Sequence, residues 1–293
     1  MGEFYALACA VVWGLAVVFF RRSGETVPPL AMNLFRSLVS LLLFAVTMLV
    51  RRQPLLPEAP AEDYVRLLAS GVIAIALADT LFHASLNRIG AGLNAIVDTL
   101  YSPFVIVFAY LLLGEKAGPW QLGGMALIIG GVMVATRVDL PAGTTRRSMA
   151  AGIALGGVSM ATLAFGIVIA KPALERADVV WATAVRQVAS VAVLLPAALI
   201  HPSRRAYLAA LRPQRAWRFT VTGSVLGSYI ALMLWIAGMK YTAVGRAAVL
   251  NQTSTIAILA FAALFLGERF DRRKAVAATL ALLGVILVLA PWR

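Results

Sequence analysis

The chain carries the sequence LLLGEK at residues 111–116 and LFLGER at residues 264–269, each at the end of a long apolar run. A shift of the chain against itself by about 150 residues brings these two stretches together. The same shift places Arg36 on Arg186 and Gly131 on Gly284. Matches that occur in the same order along both halves indicate a duplicated structural unit.

The composition is that of a membrane protein. Of 293 residues, 61% are hydrophobic and 13% charged, against about 45–50% and 25% in soluble domains. The net charge of +13 comes from Lys and Arg residues between apolar runs, which places it in membrane-flanking loops and not on a nucleic-acid surface. One cysteine and two histidines give neither a disulfide nor a zinc-ligand spacing, so we predict no metal and no cofactor.

Ten apolar stretches are long enough to cross a bilayer as helices, because a ~30 Å hydrocarbon layer requires about 20 helical residues. A β-barrel is excluded because runs such as residues 39–46 do not alternate between apolar and polar. The predicted spans run approximately from Phe4 to Phe20, Leu30 to Val50, Tyr64 to Leu86, Ala91 to Leu113, Trp120 to Thr136, Met149 to Ala170, Val179 to Ile200, Trp217 to Met239, Val244 to Leu266 and Ala275 to Pro291. The loops are too short to hold a soluble domain, so the functional site is expected within the bundle.

Each half then holds five spans, one half over residues 1–140 and the other over residues 141–293. An odd number of crossings returns the second copy to the opposite side of the membrane, so equal folding of the halves makes them inverted. We therefore predict an all-α integral membrane protein with ten transmembrane helices, arranged as two inverted five-helix repeats around a central cavity. Whether it is a monomer or a homodimer stays open.

Paired arginines in the second span of each half, the paired Gly-Glu motifs and Trp13-Gly14 in the first span resemble the EamA-type drug/metabolite transporter superfamily. Within it, the chain is most similar to amino-acid exporters of the YddG kind. The resemblance implies a secondary exporter of small metabolites in the cell inner membrane, without ATP hydrolysis and without enzymatic activity. The second half has Phe165-Gly166 in place of Trp13-Gly14, so the two halves are not expected to line a cavity identically.

Alternative functions remain at this point. The first rival is an exporter of drugs or organic cations, which needs an accessible carboxylate in place of a free arginine. A passive channel would favour a continuous polar stripe along the pore, whereas these spans show isolated polar layers. An intramembrane enzyme is disfavoured because no GxSxG, HExxH or P-loop motif occurs.

Ionisable residues inside spans are costly and therefore functional candidates. Asp79 and His83 lie one turn apart on the third span, and Asp98 lies in the fourth. The short turn at residues 87–90 places these groups at similar depth, where Arg36 also enters. Either Asp79, His83 and Asp98 bind a substrate amino group or exchange a coupling proton, or Arg36 forms a fixed structural bridge with Asp98 or Asp79.

Arg186 is expected at matching depth on the other side of the bundle. Spans eight and nine offer it amide and hydroxyl side chains such as Asn251 but no carboxylate. An arginine without an acidic partner binds a ligand carboxylate in a bidentate manner. Snorkelling to the interface, or hydrogen bonding to backbone carbonyls, is the structural alternative.

Four aromatic residues lie within predicted spans: Trp13, Tyr101, Tyr229 and Trp235. Membrane tryptophans collect at interfaces, so the mid-span position of Trp13 is notable. Each of these side chains is predicted either to line the cavity or to pack between helices.

Three further motifs carry structural predictions. Pro103 is expected to kink the fourth span just beyond Asp98 and to form a gating hinge; the second half has Ile256 at the matching position, so no matching break is expected there. GxxxG spacings at Gly152 and Gly156, and at Gly223 and Gly227, favour intramolecular packing over dimerisation. Glu115 and Glu268 are assigned to span termini and loop pairing.

The orientation of the termini is ambiguous from sequence. Lys and Arg are more frequent in the loops on the side opposite the termini, which places both termini outside the cell. The family that the chain resembles has both termini in the cytoplasm, and we prefer that arrangement.

Overall fold

The computed structural model of the chain describes residues 1–114, 118–135, 145–241 and 250–289, and the regular elements of these ranges are helical. The helices are α1 (Gly2–Ser23), α2 (Pro29–Val50), α3 (Ala61–Ser70), α4 (Ala78–Asp98), α5 (Tyr101–Leu113), α6 (Pro119–Ala135), α7 (Arg146–Arg176), α8 (Val179–Ile200), α9 (Arg204–Ala210), α10 (Trp217–Gly223), α11 (Leu232–Tyr241), α12 (Ser254–Leu266) and α13 (Arg272–Leu289). Within the described ranges, five helical stretches are long and apolar enough to cross a membrane: Gly2–Ser23, Pro29–Val50, Ala61–Asp98, Arg146–Arg176 and Val179–Ile200. The third of these consists of two helices that meet at Gly90.

Local sequence explains where several helices begin and end. The Asp178 carboxylate accepts hydrogen bonds from the backbone N–H groups of Val180 and Trp181 and so caps α8. Helices α5 and α12 each end at a glycine of positive φ, Gly114 at 70° and Gly267 at 66°. These two glycines belong to the duplicated Gly-Glu motifs, so the motif marks a helix end in both halves.

Two π-helical segments interrupt the third span and its counterpart in the second half. Residues Gly71–Leu77 join α3 to α4, and residues Ser224–Ala231 join α10 to α11. A π-helical turn disturbs the regular pairing of backbone groups and is frequent at functional sites. Side chains of α2 bond to carbonyls of both segments: Asn33 Nδ2 donates to the Ile75 carbonyl at 2.7 Å, and Ser40 Oγ donates to the Ser228 carbonyl at 2.8 Å.

The first helix of each half packs against the third-span region of the other half. Along α1, the positions of Phe20 and Ala16 face Gly223 and Gly227, respectively. Along α7, Gly166 faces Ala74, and the Ser159 hydroxyl donates to the Ala78 carbonyl at 2.8 Å. Both contacts run in antiparallel register.

Two helix pairs cross with reciprocal contacts. In α6 and α13, a Cβ on Gly124 would lie 2.5 Å from the Gly284 carbonyl oxygen, and one on Gly131 would lie 2.8 Å from the Ala277 carbonyl oxygen. Such close approach explains why glycines occupy this crossing.

In α2 and α8, the hydroxyls of Ser37 and Ser190 lie 3.4 Å apart, and Gln187 Nε2 donates to Ser40 Oγ at 3.2 Å. Rising residue numbers on α2 meet falling numbers on α8. The same holds for the crossing of α6 with α13, so each pair runs antiparallel.

The predicted break at the fourth span is present, since α4 ends at Asp98 and α5 begins at Tyr101, with Pro103 buried in the first turn of α5. The prediction of an unbroken helix at the matching position of the second half was wrong. The backbone N–H of Thr253 bonds to the Leu250 carbonyl at 3.2 Å, the same i→i−3 pattern that Thr99 makes in the first half. The break therefore does not require a proline.

Both GxxxG spacings pack within the chain. Gly152 and Gly156 of α7 lie against Ile89 and Val97, respectively. Gly223 and Gly227 lie against α1, as described above. Small residues at these positions let the two halves interlock.

Candidate functional site

A buried ion pair lies where the two halves meet. Arg36 Nη1 on α2 lies 2.9 Å from Asp79 Oδ2, one residue past the start of α4. Arg36 Nε also donates to the hydroxyl of Ser228 at 2.7 Å, within the second π-helical segment. The side chains of Arg36 and Asp79 are 8% and 18% exposed. The bridge predicted from sequence thus forms with Asp79, and the hydrogen bond to Ser228 connects Arg36 to the second half.

His83 lies next to this pair but not in it. Its ring contacts Phe20 and Phe82 edge-on at centroid distances of 5.1 and 5.3 Å, and its Nε2 is buried without a hydrogen-bond partner. The Arg36 guanidinium carbon lies 5.4 Å from the centroid of the same Phe20 ring. Phe20 therefore connects His83 to the ion pair.

Arg186 enters the same region from α8. The residue is 6% exposed, and its Nε has no hydrogen-bond partner. Asp79 and Tyr101 are near enough to interact with it electrostatically, but the Asp79 carboxylate forms its ion pair with Arg36. Within the described parts of the chain, Arg186 has neither an ion-pair partner nor a hydrogen-bond acceptor for its guanidinium.

Asp98 is separate from the Arg36 pair. Its two carboxylate oxygens accept hydrogen bonds from Asn94 Nδ2 at 3.1 and 3.2 Å. Asn94 is completely buried, and its own Oδ1 has no partner. Asp98 ends α4, directly before the break in the fourth span.

The predicted aromatic residues divide into two groups. Trp13 and Tyr101 are half-buried and pack against one core cluster, and the Trp13 ring centroid lies 6.0 Å from that of Phe82. Tyr229 instead bonds to the Thr47 hydroxyl at 2.6 Å and packs in a different core cluster.

Two predicted residues of the second half are half-buried: Trp235 on α11, and Asn251 just before α12. Asn251 has a buried Oδ1 without a partner. Its neighbour Gln252 points its Nε2 toward the Ser102 hydroxyl at 3.5 Å. The breaks of the fourth and ninth predicted spans are thus in contact.

Some site residues carried no recognisable signal in the sequence. Ser228, Asn33 and Asn94 are uncharged and lie within apolar runs. Ser228 and Asn33 became identifiable only once the two π-helical segments were seen. Asn94 lies four residues before Asp98, one helical turn away, and this spacing was the one available clue.

Glu268, in a loop of the second half, binds the turn at Gly90 that divides α4 into two parts. Gly90 interrupts α4 with a φ of 78°, and Glu268 accepts hydrogen bonds from the backbone N–H groups of Ala91 and Gly92 at 2.7 and 2.9 Å. Lys274 Nζ lies 3.9 Å from the same carboxylate. Glu268 thus pairs with a loop, as expected. Glu115 lies outside the described residues.

Comparison with known proteins identifies the family. The model of the EamA-like transporter family matches residues 1–137 and 150–290 of this chain. A riboflavin transporter from Rhizobium johnstonii is 34% identical over 89 residues, which are 30% of this chain and 29% of that protein. A protein crystal structure shares the fold at 15% identity with a TM-score of 0.63, over 98% of this chain and 96% of the other.

The matched segments cover almost the whole chain, and the described apolar helices have the length and composition of membrane crossings. The predicted family resemblance and the helical membrane class are thereby confirmed, while likeness to amino-acid exporters stays a prediction. The chain is a multipass membrane protein that belongs to the EamA-like transporter family.

Proposed function

We propose that this protein is a secondary transporter of the inner membrane that exports amino acids or related small carboxylate-bearing metabolites by alternating access. The substrate site lies at mid-depth between two oppositely oriented five-helix halves. Arg186 binds the substrate carboxylate, and the fixed Arg36–Asp79 bridge forms one wall of the site.

The inverted arrangement is supported by the reciprocal contacts. The sequence repeat pairs Arg36 with Arg186, and hence α2 with α8; it likewise pairs α6 with α13. Each pair crosses in antiparallel register. A two-fold axis in the membrane plane makes equivalent helices antiparallel, whereas an axis along the membrane normal would make them parallel.

The exchange of first helices between halves supports a site at their boundary. Because α1 packs on α10 and α11, and α7 packs on α3 and α4, any rocking of one half against the other changes both contacts together. The polar residues of the candidate site lie in the same boundary. Motion of that kind opens a shared site to one membrane face at a time.

The single observation that carries the substrate assignment is the contrast between the two arginines. Arg36 pairs with Asp79 and donates to Ser228, so its charge is already neutralised within the protein. Arg186 is equally buried but forms no ion pair among the described residues, because its acidic neighbour Asp79 pairs with Arg36. Burying an unpaired guanidinium is costly, and a planar carboxylate is the group that satisfies it best.

Two other substrates have a specific observation in their favour. The curated riboflavin transporter that matches 89 residues makes a fused-ring substrate a candidate, since Trp13 and Tyr101 are half-buried for stacking. Asp98, which has no cationic partner in the described part of the chain, makes an organic cation a candidate.

Counterflow in proteoliposomes tests the assignment. Vesicles are loaded with one member of a panel of amino acids, riboflavin and an organic dication, and uptake of the labelled compound is measured. We expect amino-acid exchange in the wild type and a decrease of about 10- to 150-fold in Arg186→Gln, because a hydrogen bond to a charged group contributes about 1.5–3 kcal/mol.

Arg205→Gln is the matched control, because Arg205 is exposed on α9 and its replacement is expected to leave exchange unchanged. Amino-acid exchange that survives in Arg186→Gln but is lost in Asp79→Asn contradicts the Arg186 anchor. Exchange of the dication or of riboflavin, without exchange of any amino acid, replaces the proposed substrate class.

A further inference from the structure

Asp98 and Asn94 form a cluster of oxygen acceptors with a shortage of donors. Asn94 Nδ2 donates to both carboxylate oxygens of Asp98, and the other end of the amide, Oδ1, is buried with no donor among the described residues. Asn94 is 0% exposed. A buried carbonyl oxygen without a partner costs free energy unless a cation or a proton donor reaches it.

The helix break lies directly beside Asp98. After Asp98 the backbone changes to i→i−3 bonds, from Thr99 N to the Ile96 carbonyl at 3.2 Å and from Leu100 N to the Val97 carbonyl at 3.0 Å. Pro103 has no N–H to donate to the carbonyls at the break. Unwound backbone beside a carboxylate is the arrangement by which membrane transporters bind Na⁺ or H⁺.

Among the described residues, no side chain of the surrounding helices forms an ion pair with Asp98. The helices packed on α4 are α1, α2, α6, α7, α12 and α13, and residues 119–135, 149–170, 254–266 and 275–289 of these elements contain no ionisable side chain. Arg36 of α2 is bound to Asp79. Cys9 of α1 donates to the Ala231 carbonyl.

The remaining charges lie farther along α4 or on the next helix. Glu268 and Lys274 meet α4 at Gly92, about 9 Å along the helix from Asp98. Tyr101, the nearest titratable side chain in sequence, interacts electrostatically with Arg186.

We propose that Asp98 and Asn94, together with the backbone of the break between α4 and α5, bind a monovalent coupling cation, H⁺ or Na⁺, at a site distinct from the Arg186 anchor. An asparagine amide suits either ion, because it donates to an ionised carboxylate and accepts from a protonated one or coordinates Na⁺. The coupling role rests on the proposed transport function, whereas cation binding itself does not.

Melting of the purified full-length protein in detergent tests the site without any substrate. Wild type and Asp98→Asn are melted across mildly acidic to mildly alkaline pH in choline chloride, and then with sodium replacing choline at constant ionic strength. A ligand that binds the folded state raises the melting temperature saturably. We expect the difference between wild type and Asp98→Asn to depend on one of the two ions and to level off as that ion becomes abundant.

The controls decide between binding and general charge effects. Glu25→Gln removes an exposed carboxylate and should follow the wild type. Asn94→Ala keeps the carboxylate but removes the amide, and should shift the response to higher cation concentration. A difference between wild type and Asp98→Asn that is the same at every pH and sodium concentration overturns the proposal. So does a response that Asp98→Asn retains in full.

Transport then separates this inference from the proposed function. Asp98→Asn should keep counterflow but lose accumulation driven by a pH or sodium gradient; with one cation per substrate, a roughly tenfold gradient sustains roughly tenfold accumulation in the wild type. Wild-type counterflow without a response to either gradient overturns the coupling role alone. Absence of any counterflow contradicts the proposed function, while the melting curves still decide whether a cation binds.

Discussion

Separating Arg36 from Asp79 should be the most destabilising polar change at the centre of the molecule. At 2.9 Å and an effective dielectric constant of about 20, their Coulomb attraction is about 6 kcal/mol before desolvation is subtracted. Removing one partner of a buried pair costs about 3–5 kcal/mol. Because Asp79→Leu leaves Arg36 its bond to Ser228, we expect a cost near the lower end, about 3 kcal/mol.

The double variant gives the informative comparison. Arg36→Met combined with Asp79→Leu removes both charges and should cost about 1 kcal/mol or less, since apolar replacement of a buried pair is often neutral. The coupling energy between the two positions is then at least about 2 kcal/mol. Chemical or thermal unfolding in detergent, followed by tryptophan fluorescence, measures each variant.

This double-mutant cycle has two outcomes that would contradict the interpretation. Costs of the single variants that add up in the double variant would mean that the two side chains do not interact. A cost below about 1 kcal/mol for Asp79→Leu would mean that the pair behaves like an exposed salt bridge, and the interpretation of Asp79 as a structural residue would be wrong.

Two packing predictions can be checked with the same unfolding assay. Gly284→Ala places a Cβ 2.5 Å from the Gly124 carbonyl oxygen and should destabilise the protein by about 1–3 kcal/mol; Gly130→Ala, on the open face of α6, is the control and should be neutral or slightly stabilising. Equal behaviour of the two would contradict the close crossing of α6 and α13. Glu268→Ala removes the acceptor of two backbone N–H groups after Gly90 and should cost about 1–2 kcal/mol, as for a lost helix cap; an unchanged melting temperature would argue against this cap.

The length and composition of the apolar stretches predicted the helical membrane class, because lipid permits few other solutions. Spans without interruption, such as α2 and α8, were placed within a few residues by apolar length alone. The third and eighth predicted spans were placed as well, but not their π-helical segments. A π-helical turn inserts one residue into a helix without changing its apolar composition, so a hydropathy profile does not detect it.

The charged residues of the candidate site could be predicted from sequence, but which of them form an ion pair could not. Burial cost identified Arg36, Asp79, Asp98 and Arg186 from sequence, because each is an ionisable group in an apolar run. Which acid pairs with Arg36 depends on the rotation of α4 about its axis, and that rotation is set by packing against other helices. The polar partner Ser228 comes from the other half of the chain, so local sequence could not indicate it.

Labelling of the site from each face of the membrane is the most direct measurement of alternating access. In a Cys9→Ser background, Tyr101→Cys places a thiol beside Arg186, and a membrane-impermeant maleimide is applied to right-side-out and to inside-out vesicles. We expect labelling from either face, and we expect a transported substrate to slow it on both. Labelling from one face alone, or from neither, would contradict a site that opens alternately between two inverted halves.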